Sequence, residues 1–315
     1  MSWCFKKRIN FDPKIYFGDK VVGYCKSPQI LNLFDLKRIY CCVAVKDKNK
    51  VKSVPIYIDF DPSFQKIIEI SNLDLTPAGS LGAFDEHGIF PFSPFKLSNK
   101  IVAFTTGWSR RRSVDIDLAV GLVESKDNGH SFERTFGSGP LLAGSYHEPF
   151  LIGDAFVRFF EEEYHMWYIF GNSWLESEDG IFERNYKIAH ATSKDMISWE
   201  RDSKYCFANE LSTCEAHPSV AYFDDKYHMV YCLRNTFDFR SNGPTKNAYK
   251  LFHAVSENLR NWSVVDGSFA KKYGSFDSHM QCYPHIFIDD GKMCVLYNGN
   301  NFGLKDFGLL EWSLK

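Results

Sequence analysis

The sequence predicts an all-β protein, a five-bladed β-propeller whose blades are four-stranded antiparallel sheets. Two observations lead there. The first is an internal repeat over the 315 residues, the signature of a repeat architecture. HEPFLIGDAFVRFFEEEYHMWYIFGNSW runs from His147 to Trp174, AHPSVAYFDDKYHMVYCLRN from Ala216 to Asn235 and CYPHIFIDDGKMCVLYNGN from Cys282 to Asn300. SPQILNLFDLKRIYCCVA begins at Ser27, and the looser FPFSPFKLSNKIVAFTTGW runs from Phe90 to Trp108. Each copy has a proline, an apolar run, a polar turn and a second apolar run, which reads as two antiparallel strands. Pro28, Pro91, Pro149, Pro218 and Pro284 anchor the five copies, at spacings of 63, 58, 69 and 66 residues.

The second observation is a motif that follows these copies. YKIAHATSKDMISWE starts at Tyr186, YKLFHAVSENLRNWS at Tyr249 and DLAVGLVESKDNGHSFE at Asp117. Each reads as a strand, a Ser-x-Asp/Glu turn closed by local side-chain hydrogen bonds, and a further strand. Two strands from each motif make one propeller blade. The final FGLLEWSLK is expected to complete the last blade, helped by the N-terminal segment. The whole chain, 1–315, is expected to form a single domain. Helical periodicity is poor, and the alternation in 64–73 favours a strand. The stretch from Ser125 to Phe132 nearly matches the Asp-box hairpin and is assigned no chemistry.

Composition narrows the partners. Apolar residues make up 44% of the chain and aromatics 17%, enough for a large strand-rich core. A net charge of -2 gives no reason to expect a nucleic-acid partner. The run Arg110, Arg111, Arg112 reads first as a solvated loop and second as a phosphate site. The nine cysteines are odd in number, irregularly spaced and without a CxxC pair, which removes the usual zinc patterns. Several sit in apolar runs, as small hydrophobes do, and a reducing compartment suits them. No signal-like start and no apolar run long enough to span a bilayer are evident. The expectation is a cytoplasmic protein with no membrane partner; oligomeric state is not legible.

In a four-stranded blade the start of the innermost strand and the end of the second strand meet at one mouth of the central channel. The first set holds Asp85, Glu86 and His87, then His147 and Glu148, then Glu215 and His217, then Tyr283 and His285; the first copy supplies only Ser27 and Gln29. The second set holds Trp108, Asn172 with Trp174, Arg234 with Asn235, and Asn300. Carboxylates, imidazoles, amides, an arginine and aromatic faces suit a polyhydroxylated ligand. The expected sugar contacts are His87, Trp108, His147, Asn172, Trp174, His217, Arg234 and His285. His147, His217 and His285 also have a plainer reading as satisfied histidines near the axis, and Trp108 and Trp174 as blade-packing residues; Trp199 and Trp262 are expected in the core.

On these residues the chain resembles the five-bladed glycoside hydrolases of families 32, 43, 68, 117 and 130, over about residues 80–300. Glu148-Pro149 resembles that group's Asp-Pro element, and Cys214-Glu215 with Pro218 resembles the element that carries its general acid. The resemblance implies a glycosidase, with Asp85, Glu148 and Glu215 as one acidic group in each of three successive blades. Hydrolysis needs one protonated and one ionised carboxyl flanking the bond, kept apart in pKa by their surroundings. The implied roles are Glu215 as general acid, Asp85 as base or nucleophile, and Glu148 as the group that tunes the acid. Three departures stand out: Asp85 is followed by Glu-His-Gly rather than Pro, Glu replaces Asp at 148, and a histidine precedes Pro218.

Three alternatives accompany that expectation. A phosphorylase or glycosyltransferase of similar fold would need a basic anion pocket, which Arg234 or Arg110–Arg112 could supply. His87, His147, His217 and His285, one per copy in four copies, could instead ring a metal. A propeller that binds sugar without turnover is the third. No cofactor is expected, beyond an axial structural cation of the kind some similar enzymes hold.

Overall fold

The structure, a computed structural model, describes residues 2–33, 35–47, 50–135, 137–208, 210–240 and 247–313. Strand β1 (Ser2–Ile9) and the short helix α1 (Pro13–Phe17) precede the first complete blade. That blade is β2 (Val21–Leu33), β3 (Leu36–Asp47), β4 (Lys50–Phe60) and β5 (Ile67–Ile70). The second is β6 (Ile89–Lys96), β7 (Ile101–Arg110), β8 (Ile116–Ser125) and β9 (Glu133–Arg134). The third is β10 (Ile152–Phe160), β11 (Glu163–Glu176), β12 (Phe182–Ser193) and β13 (Glu200–Tyr205). The fourth is β14 (Thr213–Phe223), β15 (Lys226–Asn235), β16 (Lys250–Ser256) and β17 (Ser263–Val264). The fifth takes β18 (Cys282–Asp289), β19 (Lys292–Asn298) and β20 (Phe307–Ser313), with β1 as its outer strand. All are four-stranded antiparallel sheets, and the inner strands touch in the cyclic order β2, β6, β10, β14, β18, β2. The expected five-bladed propeller is the observed fold.

Both chain ends close the ring within one sheet. β1 pairs with β20 from Ser2 opposite Ser313 to Ile9 opposite Phe307. Trp3 is buried there between Phe269, stacked at 5.4 Å, and Trp312 at 5.0 Å. The second strands are apolar on both faces because each blade is sandwiched between two others; Arg38 to Val45 of β3 form one buried run. Cys41, Cys42, Cys232 and Cys282 lie in such runs, 1% exposed or less. Burial raises the thiol pKa of Cys42 and Cys232, which keeps them protonated and inert.

Two of the three Ser-x-Asp/Glu turns form as the sequence implies, and in the third Asn258 takes the place of the acid. Ser125, Ser193 and Ser256 bond Asp127, Asp195 and Asn258, and the same groups accept from backbone N–H of the turn. Trp199 and Trp262 each donate an indole N–H to the carbonyl three residues earlier. The Asp-box-like hairpin docks on the first blade: Tyr40 donates to the Gly129 carbonyl at 3.0 Å and Arg38 to that of Asn128 at 2.9 Å. Gly129 has φ +83° and no room for a Cβ against the Tyr40 hydroxyl, so both backbone and packing require glycine.

Strand register corrects the repeat. In every inner strand two residues oppose one residue of the next strand, a β-bulge. The bulges are Ser27-Pro28, Phe90-Pro91, Asp154-Ala155, His217-Pro218 and Tyr283-Pro284. Pro149 is therefore not the third anchor; Ala155 holds that place, and the spacings become 63, 64, 63 and 66 residues. Pro149 lies in the loop before β10. The proline pattern misled because the third copy carries alanine where the other four carry proline.

Candidate functional site

The bulges direct five equivalent side chains to the propeller axis. Ser27, Asp154, His217 and Tyr283 open their bulges with φ between 52° and 59°, and the second bulge contains the cis peptide Phe90–Pro91. Left-handed backbone at four non-glycine positions is held by the surrounding sheet and is typical of functional regions. Contacts between non-neighbouring blades show the convergence. Ser27 Oγ of the first blade lies 2.8 Å from His217 Nε2 of the fourth, and the Phe90 ring of the second lies 5.1 Å from the Tyr283 ring of the fifth.

These residues form a connected chain. His217 Nε2 is also 3.0 Å from Gln29 Nε2. Burial lowers the His217 pKa to about 3, so the ring is neutral. With Nε2 accepting from Ser27 and Gln29, the ring proton belongs on Nδ1. Nδ1 lies 3.9 Å from Asp154 Oδ2, which also accepts the His217 backbone N–H at 3.1 Å. The Asp154 backbone N–H donates to Thr106 Oγ1 at 2.8 Å. Burial raises the Asp154 pKa to about 7, against the opposing pull of the His217 N–H and the Arg184 charge. That value places the carboxyl where a proton donor or acceptor works at neutral pH. Asp154, absent from the expected site, is the single carboxylate among the five axial positions. The regular 63–66 residue period would have revealed it.

Beside this axis opens a cavity of about 530 Å³. Its aromatic lining includes Tyr24, Phe90, Trp108, Tyr186, Tyr249 and Tyr283, and its basic lining is Lys26, Lys52, His87, Arg110, Arg184, Arg234 and Arg240. Among the described residues no Asp or Glu lines it. Trp108 is fixed by a 2.6 Å indole hydrogen bond to the Phe90 carbonyl, and Arg184 lies over its ring at 5.8 Å. Of the eight expected sugar contacts, His87, Trp108 and Arg234 line this cavity. His217 lies on the axis, beside the Tyr283 ring at 5.5 Å. His285, 1% exposed, stands immediately after the bulge against Ser219 and Phe287. Asn172 and Trp174 are half-buried outside the lining, and His147 is exposed on its loop beside Tyr146.

The three expected carboxylates sit elsewhere, each tied to a cation. Asp85, 2% exposed, accepts from Arg134 at 2.5 Å. Glu148, fully buried, accepts from Tyr168 at 2.6 Å and Arg201 at 2.8 Å. Glu215 lies 3.5 Å from the buried Lys187 and accepts the Ile188 N–H at 3.3 Å; burial, opposed by Lys187, raises its pKa to about 7. The Glu148 arrangement recurs in the fifth blade, where Tyr297 donates to the buried Asp277 at 2.9 Å. Both acids stand six residues before their bulge and twenty before their tyrosine. Glu148 thus fills a structural place of the repeat, between the loop entering a blade and that blade's second strand.

The four-histidine ring does not assemble: His87 lines the cavity and His147 is exposed on a loop, while His217 and His285 are buried. Among the described residues no group of three or more His, Cys, Asp or Glu side chains could hold a metal ion.

No family model matches the chain. It is 27% identical over 248 residues to Rv1502, an uncharacterized protein of Mycobacterium tuberculosis (strain ATCC 25618 / H37Rv), covering 78% of each. Among solved structures it resembles a glycoside hydrolase at TM-score 0.75 and 16% identity, over 100% of this chain and 93% of that one. It also resembles a thermostable family-43 glycoside hydrolase, at TM-score 0.66 and 15% identity over 93% and 91%. A third likeness is the endo-arabinase from Bacteroides thetaiotaomicron VPI-5482, at TM-score 0.63 and 13% identity over 99% and 98%. The chain therefore has the five-bladed propeller fold found in glycoside hydrolases.

Proposed function

We propose that the chain is a carbohydrate-active enzyme that holds a sugar in the mouth cavity and works on its glycosidic bond, with Asp154 as the proton-handling group. The observation that carries this reading is the placement of Asp154. It is the lone carboxylate among the five axial positions, with a pKa near 7, and although it does not itself line the aromatic-walled cavity of sugar size, its axial neighbours Phe90 and Tyr283 do. Aromatic faces receive the apolar faces of sugar rings, and a few fixed polar groups orient the hydroxyls. The fold shared with the family-43 enzyme and the endo-arabinase supports the substrate class.

Hydrolysis through Asp85, Glu148 and Glu215 has less support, because each is committed to an ion pair. Ser27, Phe90, His217 and Tyr283 fill the other axial places, so the bulges supply no second carboxylate for the usual pair. That observation favours glycosyl transfer, or binding without turnover, over simple hydrolysis. The test is to assay the protein and Asp154→Asn against aryl glycosides and arabinan- and xylan-derived oligosaccharides, with sugar binding followed by NMR. Turnover lost in Asp154→Asn with binding retained is the expected result. Binding without turnover in the unmodified protein would leave the sugar-binding reading, and full activity in Asp154→Asn would overturn the assignment.

A further inference from the structure

The mouth cavity is far more basic than a neutral sugar needs. Lys26, Arg110, Arg184 and Arg234 all line it, and none has a carboxylate within ion-pair distance among the described residues. Lys52 and Arg240 add charge at the same cavity, each with one acid outside the lining, Asp47 and Glu183. Positions 1, 34, 48–49, 136, 209, 241–246 and 314–315, outside the described residues, contain no Asp or Glu that could neutralise the cluster. The chain as a whole carries -2, so this concentration of positive charge is local.

The donors differ in what they have left to give. Arg234 is 1% exposed and lies over Phe239 at 3.6 Å. It donates to the Tyr186 and Tyr249 hydroxyls and to the carbonyls of Arg184, Asn235 and Thr236. Its hydrogen bonds are nearly used while its charge is not balanced. Lys26 is half-buried over the Tyr24 ring at 4.4 Å with, among the described residues, no acceptor for its ammonium. Arg184 has its guanidinium over Trp108 and likewise no acceptor. Buried and half-buried cations are stable when a charged acceptor meets them.

We propose that the ligand of the mouth cavity is a phosphate-bearing sugar, its phosphate held by Lys26 and Arg184 in the positive field of Arg110 and Arg234. The charge count selects phosphate. A single carboxylate, as in a uronic acid, would offset one of four unpaired cations, whereas a phosphate monoester or a diphosphate brings two or more negative charges. Phe90 and Trp108 join the two donors into one surface, with Lys26 5.6 Å from the Phe90 ring and the two rings 6.1 Å apart. The sugar ring then lies on the same aromatic face that the phosphate anchors. This rests on the reading that the cavity is the sugar site.

The test is calorimetric titration of the unmodified protein, Lys26→Met and Arg184→Gln with four probes: inorganic phosphate, a panel of hexose 1- and 6-phosphates, galacturonic acid and neutral hexoses. Arg110→Gln, at the exposed rim, is the variant least able to disturb folding, and thermal midpoints check all three. The expected result is that some hexose phosphate binds more tightly than inorganic phosphate. Its affinity should fall at least about tenfold in Lys26→Met or Arg184→Gln and fall with added salt. Galacturonic acid binding as well as the phosphates would overturn the phosphate assignment and leave the sugar site standing; so would neutral hexoses binding where no phosphate does. Inorganic phosphate binding as tightly as every hexose phosphate would instead count against the sugar reading. Phosphate binding unchanged in all three variants, or absent in the unmodified protein, overturns the proposal.

Discussion

The backbone N–H of His217 donates to Asp154 Oδ2 at 3.1 Å, joining the inner strands of the third and fourth blades through the one carboxylate that the five bulges carry. The carboxyl is only 11% exposed, and among the described residues no Lys or Arg lies within ion-pair distance of it, its titratable neighbour being the neutral His217 imidazole. Its raised pKa follows from that setting, since burial disfavours the charged form.

Stability should therefore carry an Asp154 signature. With its folded pKa near 7, above the ordinary aspartate value, the native state binds this proton more tightly than the unfolded chain. The carboxyl is neutral in both states well below pH 4, and its ionisation penalises the native state progressively from about pH 4 to pH 7. Asp154→Asn should thus gain stability relative to the unmodified protein as pH rises, up to at most ~4 kcal/mol by pH 8. Urea unfolding at pH 5, 6.5 and 8 measures this. A difference that does not change with pH would refute it.

Glu148 should behave as a structural acid. Glu148→Gln leaves Arg201 without its buried partner and weakens the bond from Tyr168, and breaking a buried pair typically costs about 3–5 kcal/mol. A large fall in thermal midpoint is expected, matched in kind by Asp277→Asn in the fifth blade. If Glu148→Gln keeps its midpoint and loses only turnover, the residue is catalytic after all.

Ring closure should depend on the N-terminal strand. Trp3 fills the space between Phe269 and Trp312 and donates its backbone N–H to the Ser268 carbonyl at 2.9 Å. Trp3→Ala is expected to cost about 3–5 kcal/mol. Chemical unfolding provides the readout, and a loss below about 1 kcal/mol would show that β1 contributes little to closing the fifth blade.

The two tryptophans expected at the site should separate. Trp108 lines the cavity and Trp174 does not. Trp108→Ala should weaken sugar binding by about tenfold or more, corresponding to the loss of roughly 1.4 kcal/mol, while Trp174→Ala leaves it unchanged. Equal losses in a binding titration would place the ligand elsewhere.

The fold was legible residue by residue: five copies of a strand pair, Ser-x-Asp turns that close the outer hairpins, and a final blade completed by both chain ends. Strand alternation and turn chemistry act over a few residues, so they can be read along the chain. His87, Trp108 and Arg234 were also legible as residues near one mouth, since a strand end is a local property. Which acid faces the axis depends instead on where the bulge falls in the β10–β11 hairpin, which turn signals and alternation do not fix. The bulge phase of the third blade is set by its pairing with β11, and a shift of a few residues moved the expected acid from Asp154 to Glu148. The partners that occupy Asp85 and Glu148, Arg134 and Arg201, lie 49 and 53 residues further along the chain. The axial contacts of Ser27 with His217 and of Phe90 with Tyr283 span about 190 residues each. Such pairings exist only once the ring closes, because non-neighbouring blades meet nowhere but at its centre.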